Sequence, residues 1–206
     1  MKFYYAPKTI ALASHITLEE AGAKYDLHKV DFSQNEQRSA DFLRINPKGR
    51  VPALETEHGI LTETPAILVY LAQAYARAQL GPIDDFFAFA RLQEFNAYLA
   101  STVHVAHAHR VRGKRWVDDE AAIEALQTKV AENMTECFRL IEEQYFTGPW
   151  VLGEHYSVCD PYLFTIGLWL EGDGVNLDDF PRLAEHSAQV RKRPATERVL
   201  PLHDIQ

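Results

Sequence analysis

Two short stretches carry residue types whose spacing could do chemistry. In Asn46-Pro47-Lys48-Gly49-Arg50-Val51-Pro52-Ala53-Leu54 a turn precedes a strand whose second residue is proline, which removes a ladder donor. A cis Val51–Pro52 bond would bend the chain there and leave the N–H and C=O of Val51 facing outward, able to pair with the backbone of a bound peptide. After a turn at His58-Gly59 comes Leu61-Thr62-Glu63-Thr64-Pro65-Ala66-Ile67-Leu68. Thr64 suits a helix cap and Pro65 the first helical position, so unpaired amides at that helix start form an anion seat. A ligand carboxylate there would meet those amides and the Thr64 hydroxyl, while the Glu63 carboxylate pairs with an ammonium group one carbon away. Each piece alone has an ordinary use, a tight turn or a helix start. Within about fifteen residues of each other they describe a site for a short peptide bearing a free γ-linked amino acid.

Elements must hold these pieces in place. Before residue 80, short apolar runs (Phe3 to Tyr5, Leu27 to Phe32, Val51 to Leu54, Ile60 to Thr62) alternate with helical patterns such as Thr9 to Ala21. That alternation predicts a mixed sheet covered by helices. Beyond it strand signals vanish. The segment Ala78 to Asp85, with its Gly81-Pro82 break and two acidic residues, is expected to link the halves and cap the next helix. Leu92, Phe95, Leu99, Val103 and Ala106 fall three and four apart, predicting one helix from Phe86 to Arg112. A second helix is predicted over Ala121 to Tyr145 with Cys137 in its apolar set, and Ser157-Val158-Cys159-Asp160 is read as the cap of a third, buried helix. The expected division is 1–78 and 86–206.

With 206 residues the chain can bury a real core, and 47% apolar against 24% charged composition excludes disorder as a main theme. A formal charge of -8 disfavours a nucleic-acid surface. Two cysteines, Cys137 and Cys159, exclude a disulfide framework and a cysteine-rich zinc site. No run resembles a signal peptide or a membrane span, so a cytoplasmic location without membrane contact is expected.

Glutathione has the anatomy that the two stretches describe. Phe3-Tyr4-Tyr5-Ala6-Pro7, the Asn46 to Leu54 stretch, Glu63-Thr64-Pro65-Ala66-Ile67-Leu68-Val69-Tyr70-Leu71 and Ser157-Val158-Cys159-Asp160 together resemble the signature segments of cytosolic glutathione S-transferases, nearest the bacterial beta class. The resemblance spans the chain. It implies a thioredoxin-like βαβαββα amino-terminal domain that binds glutathione, an all-helical second domain contributing the electrophile site, and a homodimer. It also implies that Arg50, Val51, Pro52, Glu63 and Thr64 bind glutathione.

In that family the glutathione sulfur lies at the start of the first helix, beside a Tyr, Ser or Cys. The usual beta-class cysteine position holds Ile10 here and the neighbouring serine position Ala11. The disulfide exchange of those relatives therefore lacks its protein thiol. The nearest hydroxyls are Thr9, with two readings, thiolate donor or ordinary helix cap, and Tyr5 at the end of the first strand, which is also open to a packing role. His104 resembles the histidine that beta-class relatives place near the sulfur; the alternative is a solvated or interface histidine. His107 and His109 diverge by roughly 200° on a helix, so no metal is expected. The basic run Arg110, Arg112, Lys114 and Arg115 is expected to cap the negative end of the long helix. Trp116, Tyr162, Phe164 and Trp169 are open to lining a pocket or to core packing. The expected activity is conjugation of the glutathione thiolate to a small apolar electrophile, with glutathione as co-substrate and no other cofactor. Glutathione-dependent peroxide reduction or isomerisation, and a non-catalytic glutathione-binding scaffold, are the alternatives.

Overall fold

The computed structural model describes all 206 residues. Strand β1 (Lys2–Tyr5), helix α1 (Ala11–Glu20), β2 (Asp26–Lys29), α2 (Ala40–Ile45), β3 (Ala53–Thr56), β4 (Gly59–Thr62) and α3 (Thr64–Ala74) follow the expected βαβαββα order. The sheet runs β2-β1-β3-β4, with β1 parallel to β2 and the other two pairs antiparallel. Phe3 pairs with Leu54 across the sheet, and both are fully buried with Ile67 and Leu71 of α3. Residues two apart on a strand share a face, so Tyr5 joins Phe3 on this covered side.

Helix α1 is buried along its whole first two turns, Ala11 to Leu18. This is why it lacks a polar face: it is wedged between α3 and helices of the second half. The chain enters it through Lys8, which takes a left-handed conformation at φ 56°.

The second half is helical: α4 (Phe86–Tyr98), α5 (His104–Arg112), α6 (Glu120–Thr128), α7 (Val130–Leu140), α8 (Cys159–Gly167), α9 (Pro181–Arg191) and α10 (Pro194–Val199). Asp85 caps α4, its Oδ1 accepting from the amides of Phe87 at 3.0 Å and Ala88 at 2.9 Å. The single helix expected from Phe86 to Arg112 is interrupted by a π turn at Leu99–Val103, which joins α4 to α5 without a break in the rod. The wider turn is absorbed locally, since Val103 and Ala106 stay buried in line with Leu99. The helix expected over Ala121 to Tyr145 is two helices, because the last turn of α6 tightens at Lys129, whose amide bonds to the Leu126 carbonyl at 3.3 Å. Cys137 lies in the core as expected, buried with Met134 and Phe138.

The cap before α8 is a buried network. The amide of Ser157 donates to Asp160 Oδ2 at 2.7 Å, the amide of Val151 donates to Oδ1 at 2.9 Å, and His186 Nε2 lies 3.0 Å from the same oxygen. Asp160 is fully buried yet well satisfied. The two halves share one core: Ile10, Ala13 and Leu68 pack with Leu92, Phe95, Met134 and Tyr162 in a single apolar cluster. No helix is long and apolar enough to cross a membrane.

Candidate active site

A crevice of about 560 Å³ opens between the halves. One wall is made by the approach to α1, the segment before β3 and the start of α3; the other by α5, Trp116, Tyr162 and Trp169.

On the first wall, backbone groups are left without partners in the way the sequence suggests. The Val51–Pro52 bond is cis, and β3 begins only at Ala53, so Val51 stands ahead of the ladder and its N–H and C=O make no bond within the protein. Asn46 braces the bend: its Nδ2 donates to the Arg50 carbonyl at 2.6 Å and its Oδ1 accepts from the Lys48 amide at 3.1 Å. At α3 the register differs by one from expectation. Glu63 is the cap residue, Thr64 the first helical residue and Pro65 the second. The first carbonyl bonded is that of Glu63, by the Ile67 amide at 3.1 Å, which leaves the Thr64 and Ala66 amides without protein acceptors. The Thr64 hydroxyl also makes no hydrogen bond within the protein, although the residue is 4% exposed.

Glu63 adopts φ 71°, ψ 123°, a region that costs a residue with a Cβ roughly 1–3 kcal/mol and tends to occur at ligand seats. Its carboxylate is held by Lys48 Nζ at 2.6 Å, and the same ammonium donates to Thr62 Oγ1 at 2.6 Å. Lys48 thus already stands where an ammonium would meet Glu63, a competitor that the sequence reading does not include.

Of the two candidate hydroxyls near the start of α1, one lines the crevice and the other does not. Thr9 lines the crevice, but its hydroxyl donates to the Ala6 carbonyl at 2.7 Å and accepts from the Ala11 amide at 3.3 Å. In this arrangement its single proton goes to the backbone. The Ile10 amide beside it donates to no protein acceptor. Tyr5 is not on the crevice wall at all. Strand alternation turns it to the covered face, where its ring packs 4.9 Å from that of His203 and 5.5 Å from that of His15, and burial pushes its phenol pKa up.

His104 does face the crevice, tilted against Trp169 at 5.0 Å. Burial, then His107 and the guanidiniums of Arg112, Arg115 and Arg50, push its pKa down to about 3, so it is a neutral imidazole at ordinary pH. Next to it His107 stacks on Trp169 at 4.2 Å and bonds through Nδ1 to the buried Asp173 at 2.8 Å. His109 faces elsewhere, edge-on to Trp116 at 4.5 Å. Phe164 belongs to a separate core under α1, whereas Trp116, Tyr162 and Trp169 line the crevice.

The basic run at the end of α5 also differs from expectation. Only Arg110 serves the fold, pairing with Asp173 at 3.0 Å and with the Gly172 carbonyl at 2.6 Å. Arg112 and Arg115 turn into the crevice, where Arg38 and Arg50 meet them from the opposite wall. Sequence reasoning missed Arg38 and the convergence. The clusters are far apart in the chain, and only the packing of the two halves brings them together.

Residues 1–73 match the glutathione S-transferase N-terminal domain family. The chain is similar to a glutathione transferase homolog from Sulfitobacter, solved with bound glutathione, at 43% identity, 96% coverage of this chain and 95% of that one, and a TM-score of 0.92. It is 29% identical to glutathione S-transferase GstA of Escherichia coli O157:H7 over 97% of both chains. It is also 28% identical to maleylacetoacetate isomerase of Pseudomonas aeruginosa, over 98% of this chain and 96% of the relative.

Proposed function

The chain belongs to the glutathione S-transferase family, and from that premise we propose that it conjugates glutathione to an electrophilic carbon. The observation that carries the reading is the set of unpartnered backbone groups around one crevice. The amides of Thr64 and Ala66, with the Thr64 hydroxyl, take the γ-glutamyl carboxylate, and Glu63 shares its oxygens between Lys48 and the ligand ammonium. The N–H and C=O of Val51 pair with the cysteinyl backbone, as an added strand would. Pro52 fixes the bend that turns Val51 outward, and Arg50 supplies positive charge beside it. In this reading the sulfur lies at the start of α1.

There the Ile10 amide and the positive end of the α1 dipole favour the thiolate over the thiol. A thiol with an ordinary pKa of about 8.5 is only a few per cent ionised at neutral pH, so a fall of two units makes thiolate the major form. Neutral His104 is available as a second donor. The sulfur then attacks the electrophilic carbon: a C–S bond forms, the carbon–halogen bond of an aryl halide breaks, the halide leaves with its electron pair, and the thiol proton has already gone to solvent.

The test is turnover of glutathione with 1-chloro-2,4-dinitrobenzene together with the thiol pKa of the bound tripeptide. Ile10 has φ -61°, which proline also adopts, so Ile10→Pro deletes an amide that has no internal partner. We expect the variant to raise the thiol pKa by about one unit and Thr9→Val to leave it unchanged. The opposite pattern would return the thiolate to Thr9. Turnover of organic hydroperoxides without any thioether from the halide would replace conjugation by peroxide reduction.

A further inference from the structure

We propose that the second-substrate side of the crevice is built for an anion, and that the electrophile is a planar molecule carrying a carboxylate rather than a neutral apolar one. The proposal deepens the conjugation reading and rests on glutathione occupying the neighbouring wall.

The charge balance is the first ground. In a chain of net charge -8 the crevice is lined by five cations, Lys8, Arg38, Arg50, Arg112 and Arg115, and one carboxylate, Glu63. That carboxylate already has Lys48. None of the four arginines makes an ion pair within 4.0 Å or a side-chain hydrogen bond, whereas Arg44, Arg91, Arg110, Arg193 and Arg198 all have carboxylate partners. Bringing like charges together without counter-ions is unfavourable, and the strain shows: burial followed by Arg112, Arg50 and Arg38 pushes the Arg115 pKa down to about 10.

In the proposed pose the γ-glutamyl carboxylate meets backbone amides, and the glycyl carboxylate takes a guanidinium from the wall that carries Arg38 and Arg50. Arg112 and Arg115 come from the opposite wall, at the end of α5, and are left for the second substrate. Guanidinium forks match a carboxylate in two parallel hydrogen bonds. The surface beside them is flat and aromatic, with His107 stacked on Trp169 at an interplanar angle of 22° and Trp116 on the same rim. An arene or conjugated chain lies against such a shelf while its carboxylate reaches Arg112 and Arg115.

The experiment compares an unreactive pair, 3,5-dinitrobenzoate and 3,5-dinitrobenzamide, by calorimetric titration with and without saturating S-methylglutathione. We expect the benzoate to bind at least about tenfold more tightly than the benzamide. The preference should shrink in Arg112→Gln and in the exposed-site variant Arg115→Gln, with S-methylglutathione binding kept. Equal affinities in the parent, or a preference that survives both substitutions, would overturn the proposal. So would loss of S-methylglutathione affinity in parallel with that for the benzoate, since the guanidiniums would then belong to the glycyl carboxylate. The conjugation reading is judged separately with 4-chloro-3,5-dinitrobenzoate. Tight binding of the benzoate without chloride release in the presence of glutathione would sink conjugation and leave the anion site standing.

Discussion

Glu63 shows how much a single residue can carry and how context tempers it. The free amides beside Glu63 and Thr64 were legible from their spacing because helix-start chemistry is local: a few residues determine which amides lack carbonyls. The sequence could not show that Lys48 reaches back across fifteen positions to the same carboxylate, since that contact depends on the turn geometry at Asn46 and Gly49. With its side chain 61% exposed and already paired, Glu63 would contribute less to the proposed binding than a buried ion pair. We expect Glu63→Gln to weaken glutathione binding by about 1 kcal/mol, roughly a fivefold rise in Kd by calorimetry. An unchanged Kd would mean that the ligand ammonium never reaches this carboxylate. The arginine cluster marks the opposite limit: Arg38 and Arg115 lie 77 positions apart, and no local rule joins them.

At the scale of elements, periodicity located the helices but not their interruptions. Leu92, Phe95 and Leu99 are fully buried and Ala106 is buried beyond the π turn, as their spacing requires. The π turn between them leaves that stripe nearly intact, and this is why the sequence concealed it. Its effect is on the other face of the rod, where Ala100, His104, Ala108 and Arg112 recur every four residues along the crevice. The cap at α8 is the element whose failure would be most costly. Asp160 gathers two amides, the Ser157 hydroxyl and His186 in a fully buried place, so removing it strands several donors at once. Asp160→Ala should lower stability by about 3–5 kcal/mol in urea unfolding. A loss of under about 1 kcal/mol would mean that water replaces the carboxylate.

The whole molecule carries a pH dependence that no motif announced. His15 on α1 lies 2.9 Å from His203 in the turn after α10 and 3.0 Å from the Tyr25 hydroxyl, a buried chain that ties the two ends of the sequence together. Burial pushes His15 down to about 4 and, with help from His15 and Lys29, His203 to about 3. The unfolded chain binds protons on these rings near pH 6.5, while the folded protein resists them until about pH 4. The unfolded state therefore holds more protons in that window, and stability falls as pH drops through it, by up to about 1.4 kcal/mol per pH unit for each histidine. Urea midpoints at pH 7 and pH 5 should show the loss, and His203→Asn should reduce it, with His15 and His104 supplying the rest. A midpoint independent of pH would refute this account.

The apolar cluster shared by Ile10, Leu68, Leu92 and Tyr162 has one more consequence. Because apolar side chains from both halves pack together beneath the crevice, swinging its walls apart would expose buried apolar surface. Entry and departure of bulky molecules must then proceed by gating at the rim, through rotamer changes of long side chains such as those of Arg112 and Arg115. The guanidiniums proposed to hold an anion would then also set how quickly product leaves.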